Sequence, residues 1–261
     1  MTPLPFFQVD AFANRPFEGN PAAVMPLVEW LPDATLQAIA AENNLSETAF
    51  TVPSERDDAD FDLRWFTPTV EVNLCGHASL AAGHILIRGS AVRFATRSGI
   101  LTVTRDGGLL QLDLPAYQVE PGVEAGLLAA LGLADDTPTF LSRGGNGSAI
   151  ALLADEAAVR AITPDFAALR SIDRLVIVTA PGVETAVVSR VFAAYHGIDE
   201  DPVTGSAHAA LAPFWAAKLG RSRFTAFQAS TRGGHIDCEL KQDRVILGGR
   251  CVTVIEGHFQ L

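Results

Sequence analysis

The chain has 261 residues, of which 48% are hydrophobic and 19% are charged, so it can bury a large core and is not a disordered or fibrous sequence. Its 19 basic and 30 acidic residues give a formal net charge of -11 at pH 7. A surface this acidic repels nucleic-acid phosphates and anionic lipids, which argues against both as partners. This net charge does not exclude a small anionic substrate, because a pocket with a locally positive potential can bind an anion on a protein that is negative overall.

The amino-terminal segment lacks the basic stretch and the long apolar stretch of a secretory signal. No apolar run reaches the roughly 20 residues that cross a bilayer. We therefore expect a cytoplasmic protein. Its three cysteines, Cys75, Cys238 and Cys251, are an odd number with no close pair, which indicates free thiols rather than a disulfide framework or a zinc ribbon.

Short strand-like segments separated by turn signals make up most of the chain. The predicted strands are Phe6–Phe12, Leu45–Val52, Asp60–Phe66, Gly99–Arg105, Leu109–Leu114, Ala149–Leu153, Arg174–Thr179, Arg244–Gly248 and Cys251–Glu256. Helical patterns interrupt them at Asp33–Glu42, Glu124–Leu131 and Pro164–Arg170, and Asp33 is the expected N-cap of the first helix. The sequence indicates a mixed α and β protein that is rich in strand.

Two further helical segments, Gly76–Ile87 and Gly205–Leu219, are apolar nearly all the way round. A helix tolerates this only when other elements surround it. Gly89 and Gly220 stand where C-terminal glycine caps would be, and Pro213 is expected to kink the second helix or shift one of its boundaries. The two segments start about half a chain apart, so we interpret the chain as two similar halves.

The predicted fold class is therefore α+β, with two similar domains that each wrap a curved, mostly antiparallel sheet around one central helix. Pro115–Gly122 is the best boundary candidate because it combines proline and glycine. We assign residues 1–115 to an N-terminal barrel-like domain, with the final strand 252–261 as a candidate addition to it. Residues 116–251 form the C-terminal barrel-like domain.

Small residues occupy the starts of both apolar helices, which leaves backbone N–H groups and the positive end of the helix dipole open to a ligand. Two such helix ends facing one another would hold a carboxylate. Glycine and serine are also ordinary helix caps, so the pattern alone does not establish a site. The ionisable residues His77, Glu200 and Asp201 cluster at the two starts and favour a functional interpretation.

Glu47 lies in a predicted strand, where alternate residues share a face, so it points with Leu45 and Ala49 toward an apolar side. A carboxylate in such a place is costly unless it is paired or protonated. Burial raises the pKa of a carboxyl group toward the range in which it can take and return a proton near neutral pH. A glutamate at a solvated strand edge is the alternative interpretation.

Neither metal nor cofactor is predicted. His77 and His84 lie about 10 Å apart along a helix axis, and no two histidines are three or four positions apart, so His84 and His208 are interpreted as packed residues. The glycine-rich segment Arg143–Gly147 precedes a strand rather than a helix, which predicts a turn and not a phosphate loop. Ser206 is not in a Gly-x-Ser-x-Gly elbow, so a role as a serine nucleophile is the weaker interpretation of this residue.

Six blocks taken together resemble the phenazine-biosynthesis PhzF-like family, within the diaminopimelate-epimerase-like fold. They are Phe7-Gln-Val-Asp-Ala-Phe, Phe17-Glu-Gly-Asn-Pro-Ala-Ala-Val, Asn44-Leu-Ser-Glu-Thr-Ala-Phe, Arg64-Trp-Phe-Thr-Pro with Glu71, Leu74-Cys-Gly-His-Ala-Ser-Leu-Ala and Gly197-Ile-Asp-Glu-Asp-Pro-Val-Thr-Gly-Ser-Ala. They run in order from the amino terminus to about residue 208. Each block alone is weak, and the combination is specific.

The resemblance implies an isomerase with its active site between two similar domains. It implies that Glu47 is the acid/base, with His77 and Asp201 as further catalytic groups that hydrogen-bond a substrate hydroxyl or amine. A single carboxyl group that removes a proton from one carbon of an unsaturated acid and returns it to another needs neither metal nor redox cofactor. The expected reaction is therefore a proton-shift isomerisation without a cofactor.

The resemblance also implies the substrate-binding residues. Backbone N–H groups at Gly76 and Gly205 would hold the carboxylate of a small metabolite, and Ser206 and Asn20 would line the same pocket. A homodimer is plausible by the same resemblance. The identity of the substrate and its pathway do not follow from it.

Two other functions stay open at this point. Epimerases of this fold use two cysteines, one at each helix start, and Cys75 stands where the first would be, whereas the second helix offers Asp201. A cysteine-assisted amino-acid racemase or epimerase is therefore the second hypothesis, although buried free cysteine commonly behaves as a small packing residue. The third is a noncatalytic protein that binds a carboxylated metabolite, because the fold alone does not decide between functions.

Overall fold

The computed structural model of the protein describes residues 3–144 and 147–261. Its helices are α1 (Asp33–Asn43), α2 (Gly76–Leu86), α3 (Leu127–Leu131), α4 (Glu156–Ala161), α5 (Phe166–Leu169) and α6 (Gly205–Leu219), with a 3₁₀ turn at Ala194–His196. None of the helices in these ranges is long and apolar enough to cross a membrane.

The strands carry most of the fold. They are β1 (Pro3–Ala11), β2 (Asn20–Pro26), β3 (Glu47–Pro53), β4 (Phe61–Phe66), β5 (Glu71–Val72), β6 (Ala91–Thr96), β7 (Gly99–Asp106), β8 (Leu109–Pro115), β9 (Gln118–Pro121), β10 (Thr139–Arg143), β11 (Ser148–Leu152), β12 (Leu175–Pro181), β13 (Val187–Ala193), β14 (Ile198–Asp201), β15 (Arg223–Gln228), β16 (Gly234–Lys241), β17 (Arg244–Gly249) and β18 (Cys251–Gln260).

The chain divides into two compact units, one made of Met1–Asp113 with Gly248–Leu261 and the other of Leu114–Leu247. In the first unit, β1 pairs antiparallel with β2 and β18, β2 pairs parallel with β3, and β3 pairs antiparallel with β4. β4 then pairs antiparallel with β5 and parallel with β6, and β6 and β7 form a hairpin. α2 packs against β1, β2, β3 and β7 of this sheet.

The second unit repeats this order of pairings. β10 pairs antiparallel with β9 and β11, β11 pairs parallel with β12, and β12 pairs antiparallel with β13. β13 then pairs antiparallel with β14 and parallel with β15, and β15 and β16 are antiparallel. Each unit places its apolar helix at the same point in this order, α2 after β5 and α6 after β14. The predicted α+β fold with two similar halves is confirmed.

The two central helices are buried because their sequences have no polar face. Nine of the eleven residues of α2 and ten of the fifteen of α6 are buried. Gly83 of α2 lies so close to Val103 of β7 that an added Cβ would overlap that side chain, which is why a helix can approach the sheet there. Apolar contact of this kind, rather than helix propensity, accounts for most of the stability of short helices.

The helix ends differ in detail from the predicted ones. Gly220 caps α6 in the left-handed conformation, as expected. Gly89 does not cap α2, because the helix ends at Leu86 and its cap, Ile87, is extended. Asp33 is the first residue of α1 rather than its N-cap. α6 keeps its predicted bounds and continues through Pro213.

The short helices were less well predicted. α3 and α5 are shorter than the segments expected for them, and α4, which the sequence did not reveal, is capped by the Asp155 carboxylate. Each predicted strand overlaps an observed one within a few residues. Of the glycine-rich segment predicted to turn, Gly145 and Asn146 lie outside the described residues.

Candidate active site

The first unit brings Glu47 and His77 into contact. His77 Nε2 lies 3.1 Å from Glu47 Oε2, and the side chains are 5% and 14% exposed. Neither atom has a hydrogen-bond partner among the described residues, so at this distance the N–H direction is not aligned with the oxygen. A buried imidazole thus lies beside a carboxylate that still reaches solvent on one side.

Strand register determines where these groups lie. Glu47 opens β3 and pairs with Ala22 of β2, two residues after Asn20 at the start of that strand. Gly19, just before β2, has a φ of +66°, and a Cβ there would overlap the carbonyl oxygen of Ala11. Only glycine can occupy position 19 without strain. The turn that it makes leads directly into β2, where Asn20 is fully buried.

Asn20 holds the opposite edge of the histidine ring. Its Nδ2 lies 3.2 Å from His77 Nδ1, and its Oδ1 accepts a hydrogen bond from Ser46 Oγ at 3.3 Å. A ring that accepts from Asn20 at Nδ1 carries its proton on Nε2, where it faces Glu47. A second proton, at Nδ1, would require Asn20 to turn its Oδ1 toward the ring.

Cys75 is the fourth member of this group. Its Sγ lies 3.6 Å from His77 Nδ1. Burial raises the pKa of the Cys75 thiol to about 11, so the group is neutral at physiological pH. The sequence interpretation of Cys75 as a packing residue was therefore incomplete, since the thiol is buried but also contacts the histidine. We call Asn20, Glu47, Cys75 and His77 the histidine cluster.

Opposing effects act on His77. Burial disfavours the charged form of the His77 ring, whereas a hydrogen bond to Cys75 Sγ and the adjacent Glu47 carboxylate favour it, and the pKa of His77 lies well above its usual value. With the thiol protonated, the Glu47 carboxylate is the charge that favours the imidazolium. The protonated form of His77 is therefore favoured by the negative charge on Glu47.

The second unit holds Asp201 in a buried hydrogen-bond network. Thr204 Oγ1 donates to Asp201 Oδ2 at 2.5 Å, and the Thr204 N–H donates to Gln228 Oε1 at 2.9 Å. Gln228 Nε2 donates to the Asp201 carbonyl oxygen at 2.7 Å. Gln228 is fully buried and Asp201 is 8% exposed. The sequence analysis missed Thr204 and Gln228, although a glutamine ending an apolar strand is a weak signal.

Both central helices begin without a side-chain cap. Cys75 and Thr204 occupy the N-cap positions of α2 and α6, and neither side chain bonds to its helix. Gly76 and Gly205 are the first helical residues, and Ser206 follows as a half-buried residue in the first turn of α6. First-turn N–H groups without a capping side chain are suited to accepting an anionic group.

Gln228→Leu should destabilise the protein by about 1–3 kcal/mol. It removes the hydrogen bonds that Gln228 makes with three buried groups, which are the Thr204 N–H, the Thr204 hydroxyl and the Asp201 carbonyl oxygen. Denaturant unfolding followed by circular dichroism measures this change. The matched control is Gln118→Leu, which alters an exposed glutamine in β9 of the same unit. Equal unfolding midpoints for the two variants would show that the Gln228 network is not needed for stability.

The histidine cluster also has the donor set of a metal site. One ligand atom each from Glu47, Cys75 and His77 lies within 4.8 Å of the other two. The spacing argument from the sequence considered histidine pairs and so did not find this group. Of the other two histidines that it weighed, His208 is fully buried as expected, with Nδ1 2.8 Å from the Thr204 carbonyl oxygen. His84 is only half-buried, and its Nε2 lies 3.1 Å from Thr253 Oγ1.

Comparison with known proteins gives the family. The model of the phenazine biosynthesis-like protein family PhzC-PhzF matches residues 9–257. Two curated relatives named uncharacterized isomerases, both from Pseudomonas aeruginosa, are 49% and 47% identical to this chain, and each alignment covers 99% of both chains. A crystal structure of a PhzF-family phenazine biosynthesis protein from Enterococcus faecalis matches with a TM-score of 0.92 and 43% identity over 100% of both chains. The chain therefore belongs to the PhzC-PhzF family of phenazine biosynthesis-like proteins, and its enzyme class is that of the isomerases.

Proposed function

We propose that this protein is a cofactor-independent isomerase in which Glu47 moves a proton between two carbons of a small carboxylated substrate. The observation that carries the proposal is the position of the Glu47 carboxylate, which lies 3.1 Å from a buried imidazole and is 14% exposed. A carboxylate that contacts the protein on one side and solvent on the other can reach a C–H group of a bound substrate.

The reaction balances without an electron donor or acceptor. The Glu47 carboxylate removes a proton from a carbon next to an unsaturated or carboxylated centre, which leaves a delocalised carbanion and a neutral carboxylic acid. The Glu47 carboxyl group, which reaches solvent and exchanges its proton there, then gives a proton to a different carbon of that delocalised system, and the double bond shifts. His77 stays beside Glu47 throughout and stabilises its carboxylate between turnovers.

The substrate carboxylate needs an anion site, for which the starts of α2 and α6 are suited. Backbone N–H groups at Gly76 and Gly205 would bind it, with Ser206 and Asn20 as further binding residues. In this proposal Asp201 orients a hydroxyl or amine of the substrate. The Thr204 hydroxyl supports this role because it donates a hydrogen bond to the Asp201 carboxylate, and Gln228 supports it because it donates to the Asp201 backbone carbonyl oxygen.

The proposal is tested by incubating the protein with a library of small carboxylic acids in D₂O. Deuterium that appears at carbon in one acid, detected by mass spectrometry and located by NMR, identifies both the substrate class and the exchanging position. The Glu47→Gln variant in the same mixture is the control. No exchange into any acid by well-folded wild-type protein would count against proton-shift chemistry.

The anion site has its own test. Gly205→Val should weaken binding of the substrate carboxylate by about tenfold or more, because the branched side chain crowds the approach to the first-turn N–H groups. Titration calorimetry with the acid found in D₂O measures the dissociation constant. Gly205→Ala is the milder control, and an unchanged constant in a folded Gly205→Val variant would show that the carboxylate binds elsewhere.

A cysteine-assisted racemase or epimerase is the second candidate, and the observation that favours it is the 3.6 Å contact between Cys75 Sγ and His77 Nδ1. That chemistry inverts a stereocentre instead of shifting a double bond. It also makes the thiol indispensable. If Cys75→Ser abolishes exchange and Glu47→Gln does not, this second function replaces the first.

A further inference from the structure

A cavity of about 220 Å³ lies within the first unit and contains none of the residues assigned to the candidate active site. It is lined by His84 of α2, Arg105 of β7, Gly107 and Gly108 of the β7–β8 turn, Leu110 of β8 and Cys251 of β18. His84 follows His77 by seven residues, which is about 10 Å along the axis of α2. The volume is below the roughly 300 to 1,000 Å³ of pockets for drug-sized molecules, so the cavity suits a ligand of a few non-hydrogen atoms.

Strand register places the Arg105 side chain at this cavity. Val103 of β7 lies against Gly83 of α2, where an added Cβ would overlap it. Arg105 is two residues further along the same strand, so its side chain lies on the same face, toward α2 and His84. Arg105 also pairs directly with Leu110 of β8, which puts these two side chains on one face of the hairpin.

Two guanidinium groups stand at the cavity without a carboxylate. The Arg105 guanidinium has no ion-pair or hydrogen-bond partner among the described residues. By contrast, Arg93 of the neighbouring strand β6 lies 3.1 Å from the Asp60 carboxylate. Arg250 lies over the rim, where its Nη1 is 3.4 Å from the carbonyl oxygen of Gly108 and a Cβ added to that glycine would overlap it. Both positive charges are therefore available to a bound anion.

His84 gives independent evidence that the cavity has a positive potential. Its Nε2 lies 3.1 Å from Thr253 Oγ1, and its Nδ1 has no hydrogen-bond partner among the residues that the structure describes. Burial and the charge of Arg105 lower the pKa of His84, and no carboxylate offsets that charge at the ring. An anion bound between the Arg105 guanidinium and the imidazole would reverse this electrostatic effect.

We propose that this cavity binds a small phosphate group, either inorganic phosphate or the phosphate of a monoester. Guanidinium groups bind phosphate through a rigid fork of N–H donors. A tetrahedral anion can meet Arg105, Arg250 and His84 at the same time, whereas a single guanidinium satisfies both oxygens of a carboxylate. Gly107 leaves the rim open, because nothing lies within 4 Å of a Cβ added there.

The charges that oppose an anion are weaker than those that attract it. The C-terminal end of α2 is equivalent to about half a negative charge, against two guanidinium groups. Asp106 follows Arg105 in β7, so its side chain points to the opposite face of that strand. Asp10 pairs with Val252 and not with Cys251, so it too lies on the opposite face of the sheet from the cavity lining. The lining itself contains no acidic residue.

Binding is tested on the full-length protein at constant pH and ionic strength by titrating inorganic phosphate and, separately, glycerol 3-phosphate. The NMR signal of the His84 ring, assigned by its loss in His84→Gln, reports on this cavity and not on anions held at the starts of α2 and α6. We expect a saturable shift of that signal. Its dissociation constant should rise about tenfold or more in Arg105→Gln, because hydrogen bonds to a charged group are lost.

The matched control is Arg221→Gln, which removes an exposed arginine of the second unit and should leave the dissociation constant unchanged. Circular dichroism confirms that each variant is folded. Tighter binding of glycerol 3-phosphate than of inorganic phosphate assigns the site to a monoester, and equal or weaker binding assigns it to the free ion.

Three results would overturn the site. The first is a linear shift of the His84 signal with no saturation, as an adventitious ion gives. The second is an Arg105→Gln dissociation constant within about twofold of wild type. The third is acetate binding as tightly as phosphate, which would remove the assignment to a phosphate group. Because none of these measurements uses deuterium exchange, the outcome is independent of the proposed isomerisation.

Discussion

Glu47→Gln is expected to lower kcat by about 10² to 10⁴-fold, equivalent to roughly 3 to 5 kcal/mol in the activation barrier. The amide keeps the shape and hydrogen-bonding capacity of the side chain but cannot take a proton from carbon. Substrate affinity should change much less, because the proposal assigns carboxylate binding to the starts of α2 and α6. Initial rates and the dissociation constant, measured on the acid identified in D₂O, separate the two effects.

The control for this variant is Glu42→Gln, which removes one exposed carboxylate from α1 and should retain the wild-type kcat. It accounts for any effect of the change in net charge. If Glu47→Gln turns over within a few-fold of wild type, Glu47 is a structural residue of β3. The proton carrier would then have to be sought at Asp201, His77 or Cys75.

The doubled fold was predictable because it depends on features that the sequence shows locally. α2 and α6 lack a polar face, which requires that each be surrounded, and the glycine after α6 marks its end. Segments such as β3 and β12 have enough apolar residues to be recognised as strands in both halves. α4 escaped prediction since its six residues are too few for a helical period to be visible.

The residues of the candidate active site were predictable only in part, and for a physical reason. The resemblance assigned roles to Glu47 and His77, but their contact depends on the parallel register of β2 and β3 and on the position of α2 against that sheet. Gln228 is a single polar residue at the end of a strand, and no periodic pattern reveals that it anchors Asp201. Cys75 was interpreted as a packing residue because a buried free cysteine commonly behaves as a small hydrophobic residue, and its contact with the His77 ring depends on the folded structure.

Acidification should destabilise the protein through His208, a buried histidine in α6. The ring is fully buried, its Nδ1 donates to the Thr204 carbonyl oxygen at 2.8 Å, and its Nε2 has no hydrogen-bond partner among the described residues. A proton added at Nε2 would place an unpaired charge in the core. Burial accordingly lowers the pKa of His208 to about 4.

The sign of the effect follows from proton binding in the two states. Between pH 4 and the ordinary histidine pKa of about 6.5, the unfolded chain binds a proton at His208 that the folded chain does not. The stabilising contribution is therefore present above pH 6.5 and is lost as the pH falls toward 4, at a cost of about 3 kcal/mol.

Denaturant unfolding of wild type and His208→Gln at several pH values between 7 and 4 isolates this contribution. Carboxylates titrate in the same range in both proteins, so the difference between the two curves belongs to position 208. We expect the variant to lose less stability than wild type on acidification, whatever the absolute cost of the substitution at pH 7. His84→Gln is the comparator, because His84 is only half-buried and its pKa is lowered by burial and by the charge of Arg105, so screening by solvent should make its effect smaller. Parallel pH curves for wild type and His208→Gln would mean that α6 admits the charged ring, with water or a shifted side chain serving as its partner.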